Sequence, residues 1–335
     1  MPKPTVMLSQ SLNPFVQSVL KDDYELVSMP EAGPGALGAK VDDIRAVVAF
    51  GGFSAEQMDA LPNLEIIACP GVGYDGIDTT HAAERGIVVT HTPNVLNDEV
   101  ADTAVALLLN AVRRLYAAER FLREGRWESE GNFPLSPFSV KGRKVGLYGL
   151  GRIGLEIASR LEPFKVEISY HTRSPKKGVD YAYHPTLASL AEAVDTLICI
   201  VPKTPETHKA VNAEILSALG PDGILVNVGR GWSVDEDALI AALEAGTLGG
   251  AGLDVFYDEP HVPEALRGFD NVSLLPHVAS ASVPTRKGMG QLVADNLKGW
   301  FAEGRPVTPV SRSSRTPSAW HTLVRMAHPS FLSSH

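Results

Sequence analysis

The chain is poor in cysteine: among 335 residues only Cys69 and Cys199 occur. That scarcity excludes a disulfide-stapled scaffold and a cysteine-rich metal site. Each lies in an apolar run, "LEIIACP" or "DTLICIVP", and reads as a buried reduced thiol. Positive charge is also in deficit, with 30 Lys and Arg against 39 Asp and Glu and a formal net charge of −9. This balance argues against a surface for nucleic acid or anionic lipid. No apolar run approaches the roughly 18 residues of a membrane span. The opening "MPKPTVMLSQ" lacks the apolar centre of a secretory leader. The expectation is a soluble, cytoplasmic protein. Apolar residues make up 44% of the chain, and its length suits two domains of ~100–200 residues each.

The first part alternates strand and helix signals. "PTVMLS", "YELVSM", "IRAVVAF", "LEIIAC" and "GIVVTH" read as strands, with helical spacing in "PFVQSVLKD" and "SAEQMDALP". A long helix follows, with Asn97 as N-cap, Asp98 and Glu99 in its first turn, and Val100, Ala104, Leu107, Leu108, Ala111 and Leu115 along one face. "REGRWESEGNFPLSPFSV" reads as loop. A second series holds six strands: "KVGLYG", "VEISYH", "DTLICIV", "GILVNVG", "GAGLDVF" and "NVSLLP". Their near-continuous apolar character suits a parallel sheet covered on both faces. Ser233 and Glu236 fit a capping box, and Gly246 a helix stop. A last helix is expected over 285–303. The Ser-rich segment 311–335 has no period, reads as an appended and disordered tail, and is set aside.

"GLGRIG" places Gly149, Gly151 and Gly154 in the spacing G-x-G-x-x-G, after a strand and at the start of a helix. In that context the glycines allow a tight turn, close approach to a pyrophosphate and close helix–strand packing. A structural glycine turn is the plainer alternative. The next strand ends in "HTRSPKK". A site for NAD usually has an acidic residue there for the ribose hydroxyls. Here Thr172, Arg173, Ser174, Lys176 and Lys177 stand instead, a set that suits a 2′-phosphate. NADP is therefore expected over NAD, with a solvated basic turn as the alternative.

Arg230, Glu259 and His277 each fall at the C-terminal end of an expected strand, where open α/β sheets keep their sites. Arg can clamp a carboxylate and polarise the neighbouring carbonyl. His can deliver a proton as hydride arrives, and Glu can hold the imidazolium. Each residue alone also fits a surface or loop role. Their combination downstream of a dinucleotide loop points to carbonyl reduction. The other histidines show no metal-ligand spacing, and no metal is expected.

Over residues 5–310 the chain resembles the D-isomer-specific 2-hydroxyacid dehydrogenase family, through "GVGYDGID", "NDEVADTAVALLL", "GLGRIG", "VNVGRG", "GLDVFYDEP" and "LLPHVAS". Within it the likeness is to NADP-dependent glyoxylate/hydroxypyruvate reductases. The resemblance implies Arg230, Glu259 and His277 as the catalytic set. It implies that the amides of Val72 and Gly73 help hold the substrate carboxylate. Leu150, Gly151, Arg152 and Ile153 would surround the pyrophosphate, and Arg173 and Ser174 would meet the 2′-phosphate. Val201, Pro202, Thr207, Val228 and Asp254 would line the nicotinamide side, with Thr103 nearby. Trp127 would reach toward a partner subunit's site in a homodimer. It also implies a Rossmann domain (97–284) inserted into a flavodoxin-like substrate domain (1–96 and 285–310). Two alternatives stay open: a dinucleotide-sensing binding protein on the same scaffold, and a dehydrogenase for a bulkier 2-hydroxy acid or a phosphonate-like substrate.

Overall fold

The computed structural model describes residues 3–9 and 12–310, so the tail at 311–335 lies outside the described residues. The chain divides into two compact units, one formed by the residues up to Leu96 and those from Ser282 on, the other by Asn97–Ala281.

The first unit carries strands β1 (Thr5–Leu8), β2 (Glu25–Ser28), β3 (Ile44–Val48), β4 (Ile66–Ala68) and β5 (Val88–Thr90), in the order β2-β1-β3-β4-β5. Every pair is parallel, and this is the flavodoxin-like order. Alternate residues feed opposite faces. Met7, Val47 and Ile67 join one core, while Val6, Ala46, Val48 and Ile66 join another with Val293, Leu297 and Trp300. The last three belong to the helix Val283–Glu303, which packs on the helix Pro14–Leu20. Asn13 caps the latter through the Phe15 amide and donates its own amide to the Arg286 carbonyl at 2.9 Å.

The second unit carries β6 (Lys144–Tyr148), β7 (Glu167–His171), β8 (Ala182–Tyr183), β9 (Thr196–Cys199), β10 (Ile224–Asn227), β11 (Gly250–Leu253) and β12 (Val272–Leu274). The order is β12-β11-β10-β9-β6-β7-β8, again all parallel. The order reverses between β6 and β9, which makes the crevice outside their C-terminal ends the switch point where such sheets bind ligands. Cys199 is fully buried at the end of β9, and burial pushes its thiol pKa far up. Cys69 is buried in the other unit.

Several local expectations fail, each for a physical reason. The second sheet has seven strands rather than six, because two residues, Ala182–Tyr183, are too few to show a period. Asn97 is the first residue of the helix Asn97–Arg113 and not its cap. That helix stops where Arg114 turns left-handed at φ 51°, so Leu115 opens a new helix, Leu115–Arg123, and is 45% exposed. No Gly or Pro marks this break. The stretch read as loop contains a short helix, Arg126–Glu130, closed by Arg126 and Glu130 at 2.7 Å. Ser233 and Glu236 form no capping box. The helix Glu236–Glu244 follows Asp235, the Ser233 hydroxyl donates to the Arg230 carbonyl, and Glu236 accepts the Tyr257 amide. Gly246 does stop that helix, at φ 65°.

Candidate active site

The glycine loop leaves β6 at the switch point. Gly149 has φ 104°, and a Cβ there would lie 2.7 Å from the Ile200 carbonyl oxygen just past β9. A Cβ on Gly154 would lie 2.5 Å from the Gly149 carbonyl oxygen. These two glycines close the turn and seat the helix Arg152–Leu161 against the sheet. Gly151 differs: a Cβ there would meet nothing within 4 Å. The space above it is open, and Gly151 stands at the helix N-cap with no side-chain cap. An open cradle at an uncapped helix N-terminus fits a pyrophosphate. Leu150 is buried beneath it, Ile153 is half-buried, and Arg152 is exposed.

Beside it, β7 ends at His171 and the chain turns through Thr172, Arg173 and Ser174. Arg173 and Ser174 are exposed. Among the described residues no acid lies within ion-pair distance of Arg173, although the field of Arg173 reaches Glu206. Glu206 titrates below the usual carboxylate range through its own backbone amide and the Thr204 hydroxyl, with Arg173 adding to both. The Thr172 hydroxyl donates to the Ser174 carbonyl at 2.7 Å. Its proton is thus committed within the turn, which leaves Arg173 and Ser174 as the outward donors.

Across the switch point, Val201 and Val228 are buried at the ends of β9 and β10, and Pro202 is exposed. The Thr207 hydroxyl donates to the Pro202 carbonyl at 2.8 Å, closing the loop. Thr103, on the helix Asn97–Arg113, bonds its hydroxyl to the Glu99 carbonyl at 2.9 Å and reaches the Ala279 carbonyl at 3.3 Å. It therefore ties that helix to the segment after His277.

Arg230, Glu259 and His277 stand past the ends of β10, β11 and β12. His277 Nδ1 lies 2.7 Å from Glu259 Oε2, and Glu259 Oε1 accepts the Phe256 amide at 3.0 Å. Burial works to raise the Glu259 pKa. The hydrogen bonds from His277 and the Phe256 amide, with the charges of His277 and Arg230, overcome it and hold the carboxyl below its ordinary value. His277 has the strained φ of 52°. Buried Asp254 imposes it: its carbonyl accepts the His277 amide at 2.8 Å, and its carboxylate accepts the Val278 and Ala279 amides at 2.7 and 2.9 Å. Three successive amides converge on one residue, so the ring has one place to go. Burial pushes the Asp254 pKa up, against the pull of the Val278 and Ala279 amides.

Arg230 is pinned through its backbone. Its carbonyl accepts from Asn227 Nδ2 at 2.9 Å and from the Ser233 hydroxyl at 2.8 Å. Its Nη1 donates to the Gly229 carbonyl at 2.7 Å. Gly231 follows, where a Cβ would fall 1.9 Å from the Phe256 carbonyl carbon. The arginine and glutamate loops therefore touch backbone to backbone. Two features of this arrangement escape sequence reasoning. Glu236 holds the Tyr257 amide at 2.8 Å, beside the Phe256 amide held by Glu259. Trp232 stacks on His208 at 3.9 Å and, nearly parallel, on Tyr257 at 5.9 Å, joining the loops after β9, β10 and β11. The only trace in the sequence is three aromatic rings, each close after a strand.

Val72 and Gly73 belong to the first unit, in the loop after β4. Their carbonyls are engaged, with His91 Nδ1 on Val72 at 3.0 Å and the Cys69 thiol on Gly73 at 3.4 Å. Trp127 lies on the helix Arg126–Glu130 and is 59% exposed.

Residues 105–279 match the family model described as D-isomer specific 2-hydroxyacid dehydrogenase, NAD binding domain. The chain is 47% identical over 310 residues to glyoxylate/hydroxypyruvate reductase A of Arabidopsis thaliana, covering 91% of this chain and 98% of that protein. It is 48% identical over 277 residues to hydroxyphenylpyruvate reductase of Plectranthus scutellarioides, covering 82% of this chain and 88% of that one. Among solved structures, the NADPH-dependent glyoxylate/hydroxypyruvate reductase of Sinorhizobium meliloti, in complex with NADP and malonate, superposes with a TM-score of 0.90. It is 57% identical and covers 93% of this chain and all of its own. With an uncapped glycine cradle, a Glu–His pair and an arginine on adjoining strand ends, and relatives of this identity over nearly full length, the chain belongs to the D-isomer-specific 2-hydroxyacid dehydrogenase family.

Proposed function

We propose that this chain is an NADPH-dependent reductase of small 2-keto acids, glyoxylate and hydroxypyruvate, to the corresponding 2-hydroxy acids. The observation that carries the reading is the Glu259–His277 bond at 2.7 Å, in a relative of the Sinorhizobium enzyme at 57% identity. When bound, NADPH supplies the hydride. With Nδ1–H donated to Glu259, the imidazolium presents Nε2–H as the proton for the carbonyl oxygen. Arg230 holds the substrate carboxylate and polarises the carbonyl, and the amides of Val72 and Gly73 assist at the carboxylate. The cradle at Leu150–Ile153 takes the pyrophosphate, and Val201, Pro202, Thr207, Val228 and Asp254 line the nicotinamide side. Residues 97–284 act as the dinucleotide-binding domain, and 1–96 with 285–310 as the substrate domain.

NADPH oxidation with glyoxylate and hydroxypyruvate tests this directly. Both substrates are expected to turn over, ahead of bulkier keto acids. The Plectranthus relative motivates a second reading, reduction of hydroxyphenylpyruvate. That reading wins if the aromatic keto acid has the highest kcat/KM. No turnover of any keto acid would instead favour a dinucleotide-sensing binding protein.

Cofactor choice rests on Arg173. One charge-assisted hydrogen bond to the 2′-phosphate is worth about 10–150-fold in affinity. Arg173→Ala is therefore expected to lower kcat/KM for NADPH by about that factor and to leave NADH nearly unchanged. Equal loss with both cofactors would remove Arg173 from the 2′-phosphate site.

Glu259 gives the pH prediction. The hydrogen bond and charge of His277 help hold the Glu259 carboxyl below its ordinary value, and reduction needs the protonated ring. In Glu259→Gln the loss of reductase rate with rising pH should begin at lower pH than in the wild type. A pH–rate profile that keeps its position would break the assigned pairing.

The assembly is read as a homodimer in the cytoplasm, with no nucleic-acid or membrane partner. Supporting the dimer, Tyr116, Leu122, Trp127 and Leu135 are all exposed on the helices and arm after Arg114, Leu135 at 94%. A monomer in sedimentation velocity at micromolar concentration would overturn it. Among the described residues no helix is long and apolar enough to cross a membrane.

A further inference from the structure

The turn that carries Arg173 is held by two tyrosines that the proposed reaction does not use. Tyr170 on β7 and Tyr183 on β8 are register partners in a parallel pair. Partners in a parallel ladder project from the same face. Their rings accordingly meet at 5.5 Å, tilted by 55°. Both hydroxyls are engaged by the intervening turn. Tyr183 Oη donates to the Thr172 carbonyl at 3.3 Å, and the Lys176 amide donates to Tyr170 Oη at 2.8 Å. The Thr172 hydroxyl bonds the Ser174 carbonyl between these two anchors. Tyr170 is 2% exposed, so its anchor is fixed in the core. The backbone from Thr172 to Lys176 is thus tied at both ends, while Arg173 and Ser174 between them stay exposed. The two-residue strand β8 brings Tyr183 into place beside Tyr170.

We propose that Tyr170 and Tyr183 are positioning residues for cofactor selection: their hydroxyls hold the 172–176 backbone so that Arg173 and Ser174 meet the 2′-phosphate of NADPH. The inference rests on the NADPH reading above. Because the donors are set before the ligand arrives, less ordering remains to oppose binding. Neither tyrosine touches the phosphate. The effect of losing one hydroxyl should therefore be that of one neutral hydrogen bond, about 2–10-fold, and should appear only with ligands that carry a 2′-phosphate.

The test uses the full chain with Tyr183→Phe and Tyr170→Phe, which keep the rings. Binding of adenosine 2′,5′-bisphosphate and of adenosine 5′-monophosphate to cofactor-free protein is measured by titration calorimetry. Steady-state kinetics with NADPH and NADH run alongside. The wild type should prefer the bisphosphate by at least about tenfold. Each variant should lose about 2–10-fold for the bisphosphate and for kcat/KM with NADPH. Adenosine monophosphate and NADH should change by less than about twofold, and Tyr170→Phe should speed hydrogen exchange at the Lys176 amide. If the variants lose both ligands equally, or neither, the clamp is wrong and the NADPH reading stands. If the wild type itself shows no preference, the NADPH reading falls and the clamp falls with it. Should Tyr170→Phe not fold, Tyr183→Phe, whose ring is only half-buried, decides alone.

Discussion

Replacing His277 with alanine is expected to lower kcat for keto-acid reduction by about 10²–10⁴-fold, the usual share of acid–base catalysis. The geometry specifies which nitrogen is lost. Nδ1 faces Glu259 Oε2 at 2.7 Å, so Nε2 is the one left to hand over a proton. Without it the developing alkoxide depends on water. His277 makes none of the contacts of the glycine loop or the Arg173 turn, so NADPH affinity should stay close to wild type in a fluorescence titration. One complication is the backbone. His277 sits at φ 52°, a conformation that costs alanine roughly 1–2 kcal/mol. Asparagine tolerates it better. His277→Asn therefore separates strain from chemistry: the same loss of kcat with an unchanged melting temperature is expected. Near wild-type kcat in either variant would sink the role of proton donor.

The elements legible in the sequence are those that declare themselves by a run. Among the described residues, eleven of the twelve strands are apolar stretches bounded by turn residues, and the parallel order follows from the helices between them. The twelfth, Ala182–Tyr183, is visible only through its partner Tyr170. The break at Arg114 is invisible for a related reason. Periodicity reports the face a helix would bury if it continued, and nothing in "NAVRRLYAAE" forbids continuation. The capping box at Ser233 and Glu236 fits the local motif, yet the Ser233 hydroxyl turns back to the Arg230 carbonyl and Glu236 takes the Tyr257 amide from the loop after β11. A local motif yields where a backbone donor from another loop, such as the Tyr257 amide, takes the acceptor.

The same distinction runs through the site. Gly149 and Gly154 are readable because backbone geometry within one turn needs them, and Gly151 because it completes the G-x-G-x-x-G spacing between them. Arg230, Glu259 and His277 are readable as residue types at strand ends. Asp254 is different. Its part in the structure, three amides of the His277 segment gathered on one buried acid, depends on β11 and β12 lying side by side. The Trp232 stack likewise exists only once three strand ends converge. These supporting contacts between loops decide where the reactive groups point, and spacing along the chain cannot encode them.

Arg230→Lys is the second large effect. It should lower kcat by about 10²–10³-fold, the scale for removing a donor aimed at developing oxyanion charge, and raise KM for the keto acid together with it. Lysine keeps the charge but loses the planar fork that bonds a carboxylate and a neighbouring carbonyl at once. Retaining charge should preserve part of the carboxylate attraction, so KM alone should move less than in Arg230→Ala. The carbonyl contact strengthens as the oxygen gains charge, so its loss falls on kcat. The scaffold makes the comparison clean. The Arg230 carbonyl is held by Asn227 and Ser233, and Gly231 is locked against Phe256, so the backbone should not follow the side-chain change. The Glu259 carboxyl supplies an internal check, because part of its lowered pKa comes from the charge of Arg230, and lysine keeps that charge. The pH–rate profile of Arg230→Lys should therefore stay close to wild type while its height falls. A rise in KM with kcat intact would confine Arg230 to the carboxylate and leave carbonyl polarisation to His277 alone.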